Sequence, residues 1–225
     1  MVAAFPTSPP AVLPDSSLSR PFPTLSKRHA AMSGPGRGGR PASPGVAERS
    51  VYDHGAMATR DIVRLHLLRH AHAGDPMRWH RDDSERPLSE RGIRQAEAMG
   101  TFLAAAAFRP DVILASPKVR AAMTARLVAE RVGTSVAIEP ALAGPLDIVT
   151  LEHILAMARD PVRPLLVGHD PDFSELAREL AGIGHLTLRK GALVRLDAER
   201  PLTSGSAVLR WLVPPELLGA DTGSD

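Results

Sequence analysis

The stretch Ile62-Val63-Arg64-Leu65-His66-Leu67-Leu68-Arg69-His70 decides how the rest of the chain is read. Its aliphatic run, residues 62–68, has the composition of a buried strand, and it ends on two polar residues, Arg69 and His70. A polar loop over 73–86 follows. Then Ile93, Ala96, Met99, Leu103 and Ala107 recur at helical spacing, which predicts a helix over 87–108 with Ser89 as its N-cap. The alternation continues. Residues 112–115 read as a strand, and Ser116-Pro117 reads as a helix start, with Ser as cap and Pro at the first helical position. That helix is expected to reach about Arg131 and stop at Gly133. A strand over 135–138, a helix over 147–158 and a strand over 165–167 come next. Asp172 with Glu175 has the spacing of a capping box opening a helix to Ala181. Two last strands are predicted over 192–196 and 207–212 about a tight polar turn. Strands alternating with helices imply an α/β layered domain with a mostly parallel sheet. In such sheets ligands bind beyond the carboxyl ends of the strands.

Those ends carry a consistent chemistry. Arg69 and His70 follow the first strand. Ser116, with Arg120 one turn later, follows the second. Gly168-His169-Asp170 follows the strand over 165–167. A neutral imidazole is a good nucleophile near neutral pH. A guanidinium matches a phosphoryl group with paired hydrogen bonds. In-line phosphoryl transfer asks a protein mainly for positioning and for positive charge. Each residue has a plainer reading too: Arg69 and His70 as a solvated pair capping a strand, Arg120 as an exposed helix residue, His169 as a turn residue. Taken together and in order at strand ends, the functional reading prevails. His66 and His72 flank His70 at even spacing. A metal cluster of the three is conceivable, but a strand and its exit need not bring them together, so His66 is read as a strand residue and His72 as a loop residue.

The motifs Leu67-Leu68-Arg69-His70-Ala71, Arg86-Pro87-Leu88 with Gly92, Ser116-Pro117-Lys118-Val119-Arg120-Ala121 with Thr124-Ala125, and Val167-Gly168-His169 resemble those of the histidine phosphatase superfamily. The compact spacing and the late Lys190-Gly191-Ala192 resemble its small phosphohistidine phosphatase (SixA-like) branch. The resemblance spans about residues 62–212. It implies a phosphoglycerate mutase-like fold: a three-layer sandwich on a mixed, mostly parallel sheet. It implies His70 as a transiently phosphorylated nucleophile, with Arg69, Arg120 and His169 holding the phosphoryl group, and neither metal nor cofactor. Arg86 matches a recurrent family position that reaches phosphate or substrate. Its other reading is a residue at the helix start that pairs with Asp82 or Asp83. The proton donor is the gap in the pattern. Only 48 residues separate Arg120 from His169, too few for an inserted acid. Asp170 stands where the small branch is expected to carry Asn. It is similar to the His-Asp pair of the larger acid phosphatases, so it is either a proton donor or a turn residue before Pro171.

Composition bounds the remainder. The chain has 225 residues, a net charge of +2 and no cysteine, which excludes a disulfide scaffold, a cysteine nucleophile and thiolate metal sites. No stretch has the run of about 18 apolar residues that a membrane span needs, and a cytoplasmic location is expected. The positive charge is unevenly placed: residues 1–60 carry seven basic and three acidic side chains, so 61–225 carry a net −2. The first sixty residues are also rich in Pro, Ser and Gly, and read as a disordered tail. Met57 is an alternative start that would make the preceding segment an artefact. Neither a secretory signal nor a nucleic-acid arm fits well. Residues 61–215 are expected to form the phosphatase domain and 216–225 a flexible terminus.

The function that follows is a metal-independent phosphatase working through a phosphohistidine intermediate. With no inserted cap in view, an open site suits a phosphorylated protein, and protein phosphohistidine is the leading substrate. A phosphoramidate also has an easily protonated leaving group, which lessens the need for an acid. The alternatives are a phosphomonoesterase for a sugar phosphate or nucleotide, and a non-catalytic module binding phosphate or phosphoprotein. A phosphomutase fits less well because it must exclude water. Neither a nucleic acid nor a membrane is an expected partner.

Overall fold

Side-chain alternation along β1 (Ile62–Arg69) divides the interior into two cores. Val63, Leu65 and Leu67 enter one, and Leu68 enters the other, as the two-residue period of a strand requires. The computed structural model describes residues 62–219. The expected tail over 1–60, its alternative start at Met57, and residues 220–225 lie outside the described residues. Besides β1, the strands are β2 (Val112–Ala115), β3 (Val136–Ile138), β4 (Pro164–Gly168), β5 (Leu193–Glu199) and β6 (Ala207–Val213). The helices are α1 (Glu90–Ala105), α2 (Val119–Val132), α3 (Ile148–Met157) and α4 (Asp172–Ala181).

One six-stranded sheet has the order β3-β2-β4-β1-β5-β6. The first four strands in that order are parallel, and β5 and β6 run antiparallel to their neighbours. One face packs against α3 and α4 through Leu151, Ile154, Leu155, Phe173, Leu176 and Leu180. The other packs against α1 and α2 through Met99, Leu103, Ala121, Ala125 and Val128. This is the mixed three-layer sandwich expected. Each fully buried leucine of these cores contributes about 1.5–3 kcal/mol relative to exposure.

Local chemistry explains the helix ends and corrects two expectations. Ser89 caps α1, its hydroxyl accepting from Gly92 N, and Asp147 caps α3 by accepting from Thr150 N. Gly133 ends α2 with φ 73°, a left-handed backbone that suits glycine. Ser116, however, is not the cap of α2. That helix starts at Val119, and Ser116 is buried and turned toward the site. The capping box at Asp172 does not form either. Asp172 is already helical, Pro171 holds the cap position, and the side chain from this turn that bonds into α4 is Asp170, which accepts from Ser174 Oγ at 2.7 Å. Pro215–Leu218 form a 3-10 turn beside α1, and Glu216 pairs with Arg189.

The central strands deliver three exits to one place. Beyond the sheet ladder, His70 N donates to Gly168 O at 2.9 Å and Ser116 N donates to Val167 O at 2.9 Å. The exits of β1, β4 and β2 are thereby stitched side by side. Gly168 permits this packing, since a Cβ there would lie 2.6 Å from the Phe173 ring. Gly92 serves the other side. A Cβ on it would fall 1.9 Å from His72 O, so glycine lets α1 press directly on the segment after His70.

Candidate active site

His70 leaves β1 with its ring buried. Its Nδ1 lies 2.8 Å from Ala71 O. A carbonyl only accepts, so the proton resides on Nδ1 and the lone pair on Nε2. Arg120 Nε donates to that Nε2 at 3.3 Å. The His169 ring faces His70 at a centroid distance of 5.2 Å. Burial lowers the His70 pKa from 6.5 to about 3, and the charges of Arg120 and Arg69 add to the effect. His169 is lowered to about 3 for the same first reason, with Lys118 and Arg120 contributing. Both imidazoles are therefore neutral near pH 7. The four residues singled out at the strand ends are together: His70, Arg120 and His169 in contact or facing, with Arg69 at the adjoining strand end.

The two arginines are held differently. Arg69 donates to Leu188 O at 2.6 Å, and its NH1 lies 3.5 Å from Asp170 Oδ2. Asp170's other oxygen accepts from Ser174 Oγ, and Ser174 Oγ in turn accepts from Leu188 N at 2.9 Å. Asp170 thus closes a ring of bonds behind Arg69. Arg120 is gripped from the loop. Its NH1 donates to Asp83 O at 2.6 Å and its NH2 pairs with Asp83 Oδ2 at 2.9 Å. Arg86 donates from Nε to Asp83 Oδ1 at 2.9 Å and from NH1 to Ala73 O at 2.7 Å. Arg86 therefore braces the 73–86 loop, and its pairing with Asp83 is the second of its two sequence readings. Trp79 packs in the same loop, its Nε1 donating to Asp82 O.

Three residues go beyond the sequence reading. Ser116 Oγ lies 2.8 Å from His169 Nε2 and accepts from Lys118 N at 3.3 Å. The hydroxyl thereby ties the His169 ring to the start of the α2 segment. Thr124 Oγ1 accepts from Ala71 N at 3.1 Å and donates to Arg120 O, tying α2 to the residue after His70. Asp83 is the third. The strand-end rule that selected His70 and His169 also selects Ser116, had the Ser-Pro pair not suggested a cap. For Asp83 the signal was its place three residues before Arg86. Among the described residues three buried side-chain nitrogens lack a hydrogen-bond partner: Arg69 Nε and His169 Nδ1 at the site, and Arg178 Nε on α4. Unpaired buried polar atoms are uncommon in folded proteins, and two of these three belong to the residues at the strand ends.

The neighbouring histidines do not join them. His66 packs against Phe108 and Trp211, with Nδ1 3.3 Å from Pro164 O, while His72 Nδ1 bonds Ser89 Oγ at 2.7 Å. Among the described residues no group of three or more His, Asp or Glu is placed to hold a metal. Also among them, no helix is long and apolar enough to cross a membrane.

Known proteins place this geometry. The sequence model of the histidine phosphatase superfamily (branch 1) matches residues 65–144. An uncharacterized protein of Mycobacterium tuberculosis (strain ATCC 25618 / H37Rv) is 34% identical over 128 residues, which is 57% of this chain and 78% of the relative. The chain belongs to the histidine phosphatase superfamily. As a histidine phosphatase it is a phosphatase by class. Its fold is that of the protein histidine phosphatase SixA in complex with tungstate: TM-score 0.61, 22% identity, 69% of this chain and 99% of that one. A putative alpha-ribazole-5'-P phosphatase of Escherichia coli K-12 is similar in fold, with TM-score 0.55, 22% identity, and 68% and 98% of the two chains covered.

Proposed function

We propose that this histidine phosphatase transfers the phosphoryl group of its substrate to His70 Nε2 and then to water, and that its substrate is protein phosphohistidine. The observation that carries the mechanism is the state of His70: a neutral ring with its proton pinned on Nδ1 by Ala71 O and its Nε2 lone pair directed at Arg120. Arg120 donates to that lone pair, the His169 ring faces the His70 ring, and the charge of Arg69 stands close enough to lower the His70 pKa. These are the positions where a transferring phosphoryl group builds negative charge. In this reading the guanidiniums supply the positive charge that a metal ion brings elsewhere. Arg86 serves indirectly, by holding Asp83 and the loop.

Accessibility supports the substrate class. The connection between β2 and β4 consists of α2, β3, a 3-10 turn over Pro140–Ala143 and α3, elements of the layers themselves. The loop over 73–86 folds into two 3-10 turns and leaves Met77 exposed. A site without an inserted cap lets a large phosphorylated surface approach, whereas a small metabolite gains little from it. Turnover of a phosphohistidine-bearing protein should exceed that of sugar phosphates and nucleotides in kcat/KM by at least an order of magnitude. The reverse ranking would replace this substrate with a small phosphomonoester and leave the chemistry standing. Trapped label on His70 tests the chemistry itself.

A further inference from the structure

We propose that Asp83 is the proton donor to the leaving group, held in the resting enzyme as the counter-ion of the arginine that binds the phosphoryl group. The inference rests on the phosphotransfer to His70 described above and fills the place for which Asp170 was one of two readings. Asp170 is ill placed for it: one oxygen accepts from Ser174 and the other faces Arg69, with the side chain only 11% exposed. The other acids of the loop are engaged elsewhere. Asp82 accepts from Ser84 N, Asp75 from Met77 N, and Glu85 pairs with Arg81 at 2.6 Å.

Asp83 differs in position. Its carboxylate touches the terminal nitrogen of the guanidinium whose Nε touches His70 Nε2. An attacked phosphorus sits roughly 3–3.5 Å from its nucleophile, with the leaving group on the far side. One guanidinium's width from Nε2 is therefore where a leaving group emerges. The Asp83 side chain is 55% exposed, so an incoming substrate can reach it. Its backbone is nonetheless fixed, because Asp83 O accepts from both Arg120 NH1 and Arg86 N.

The resting carboxyl is ionised, held below the usual range by the Arg86 hydrogen bond and the charge of Arg120. A phosphoryl dianion uses the same NH2 of Arg120. When it binds, Asp83 loses that partner and gains a negative neighbour, and two anions sharing one site favour a proton on one of them. The step then balances. The Nε2–phosphorus bond forms as the bond from phosphorus to the leaving oxygen or nitrogen breaks, and that atom takes the Asp83 proton. In the second half, the water oxygen bonds to phosphorus as the Nε2–phosphorus bond breaks, and Asp83 carboxylate takes the proton from that water. Phosphate leaves, Asp83 returns to Arg120 and releases to solvent the proton that it took up from solvent when substrate bound, and the ionised resting state is restored.

The test compares wild type with Asp83→Asn on aryl and alkyl phosphate esters spanning a wide range of leaving-group pKa, and on phosphoramidate. The expected result is a loss of about 10²–10⁴-fold in kcat/KM on alkyl esters, little loss on the most acidic phenol, and hence a steeper dependence on leaving-group pKa. A uniform loss, or none, overturns the proposal. If only phosphoramidate is turned over, the lifetime of phospho-His70 decides: at least tenfold longer in the variant supports the proposal, and an equal lifetime overturns it. Wild type that yields no label on His70 from any donor would instead overturn the underlying mechanism. Thermal unfolding of the variant at the wild-type temperature shows that the fold is intact.

Discussion

Arg69 and Arg120 flank one histidine pair, yet their supports are opposites. Arg69 is backed by a carboxylate on the β4 exit, a serine of α4 and a main-chain carbonyl at 188, all within the packed body. Arg120 is backed by a loop aspartate that is half exposed. A charge with several buried partners keeps its geometry when an anion arrives. A charge whose partner lies in solvent's reach can exchange that partner for the anion. The site thus combines a fixed arm with an exchangeable one, and this contrast yields measurable differences.

Removing what both arms serve has the largest effect. His70→Ala should abolish hydrolysis while leaving the thermal unfolding transition cooperative, and undiminished turnover would refute the mechanism. Next come the arms themselves. Arg69→Ala and Arg120→Ala should each cost roughly 10²–10³-fold in kcat, the scale for deleting a donor to developing charge. Inhibition by inorganic phosphate should weaken in both. Asp170→Asn sharpens the comparison further. It leaves Arg69 without its charge partner, so turnover should fall about tenfold by the same factor on every substrate, with a stability loss of about 1–3 kcal/mol in denaturant unfolding. A loss selective for poor leaving groups would return the acid role to Asp170. Ser116→Ala removes one hydrogen bond to His169 and should cost about 1 kcal/mol of transition-state stabilisation, read as a several-fold drop in kcat with KM little changed.

Acid should weaken the whole assembly. His70 and His169 are lowered to about 3, and His66, by burial, to about 4, from 6.5. Folded pKa values below the unfolded value mean that the unfolded chain takes up protons first. Stability present above pH 6.5 should therefore decline as pH falls toward 3–4. Unfolding free energies measured across that window check the sign. A flat profile would show that these rings are protonated in the fold.

The same contrast explains how much could be read from the chain. His70, Arg69 and His169 were legible because strand exits in a parallel sheet fall at one edge, and β1, β2 and β4 are marked by apolar runs. Arg120 followed from one helical turn after such an exit. Ser116 was misassigned because Ser-Pro has the local signature of a cap, and only its bond to His169, 53 residues away, reveals its use. Asp170 was legible as a polar residue beside His169, but its direction, toward Arg69 and Ser174, was not. Asp83 was legible as a neighbour of Arg86, but it sits 37 residues from Arg120 on a loop without periodicity, where no local rule announces that second partner.

By itself, then, the sequence determined the alternation of elements, the layered sheet, and which strand ends carry histidine and arginine. Periodicity and capping are local, and each leaves its trace within a few residues. The tertiary structure alone decided which carboxylate meets which guanidinium, which nitrogen of His70 carries the proton, and that Ser116 belongs to the site. Those outcomes depend on how separate exits and one loop are brought within hydrogen-bond distance. Only the packing of α1 and α2 against one face of the sheet, and of α4 against the other, sets that distance.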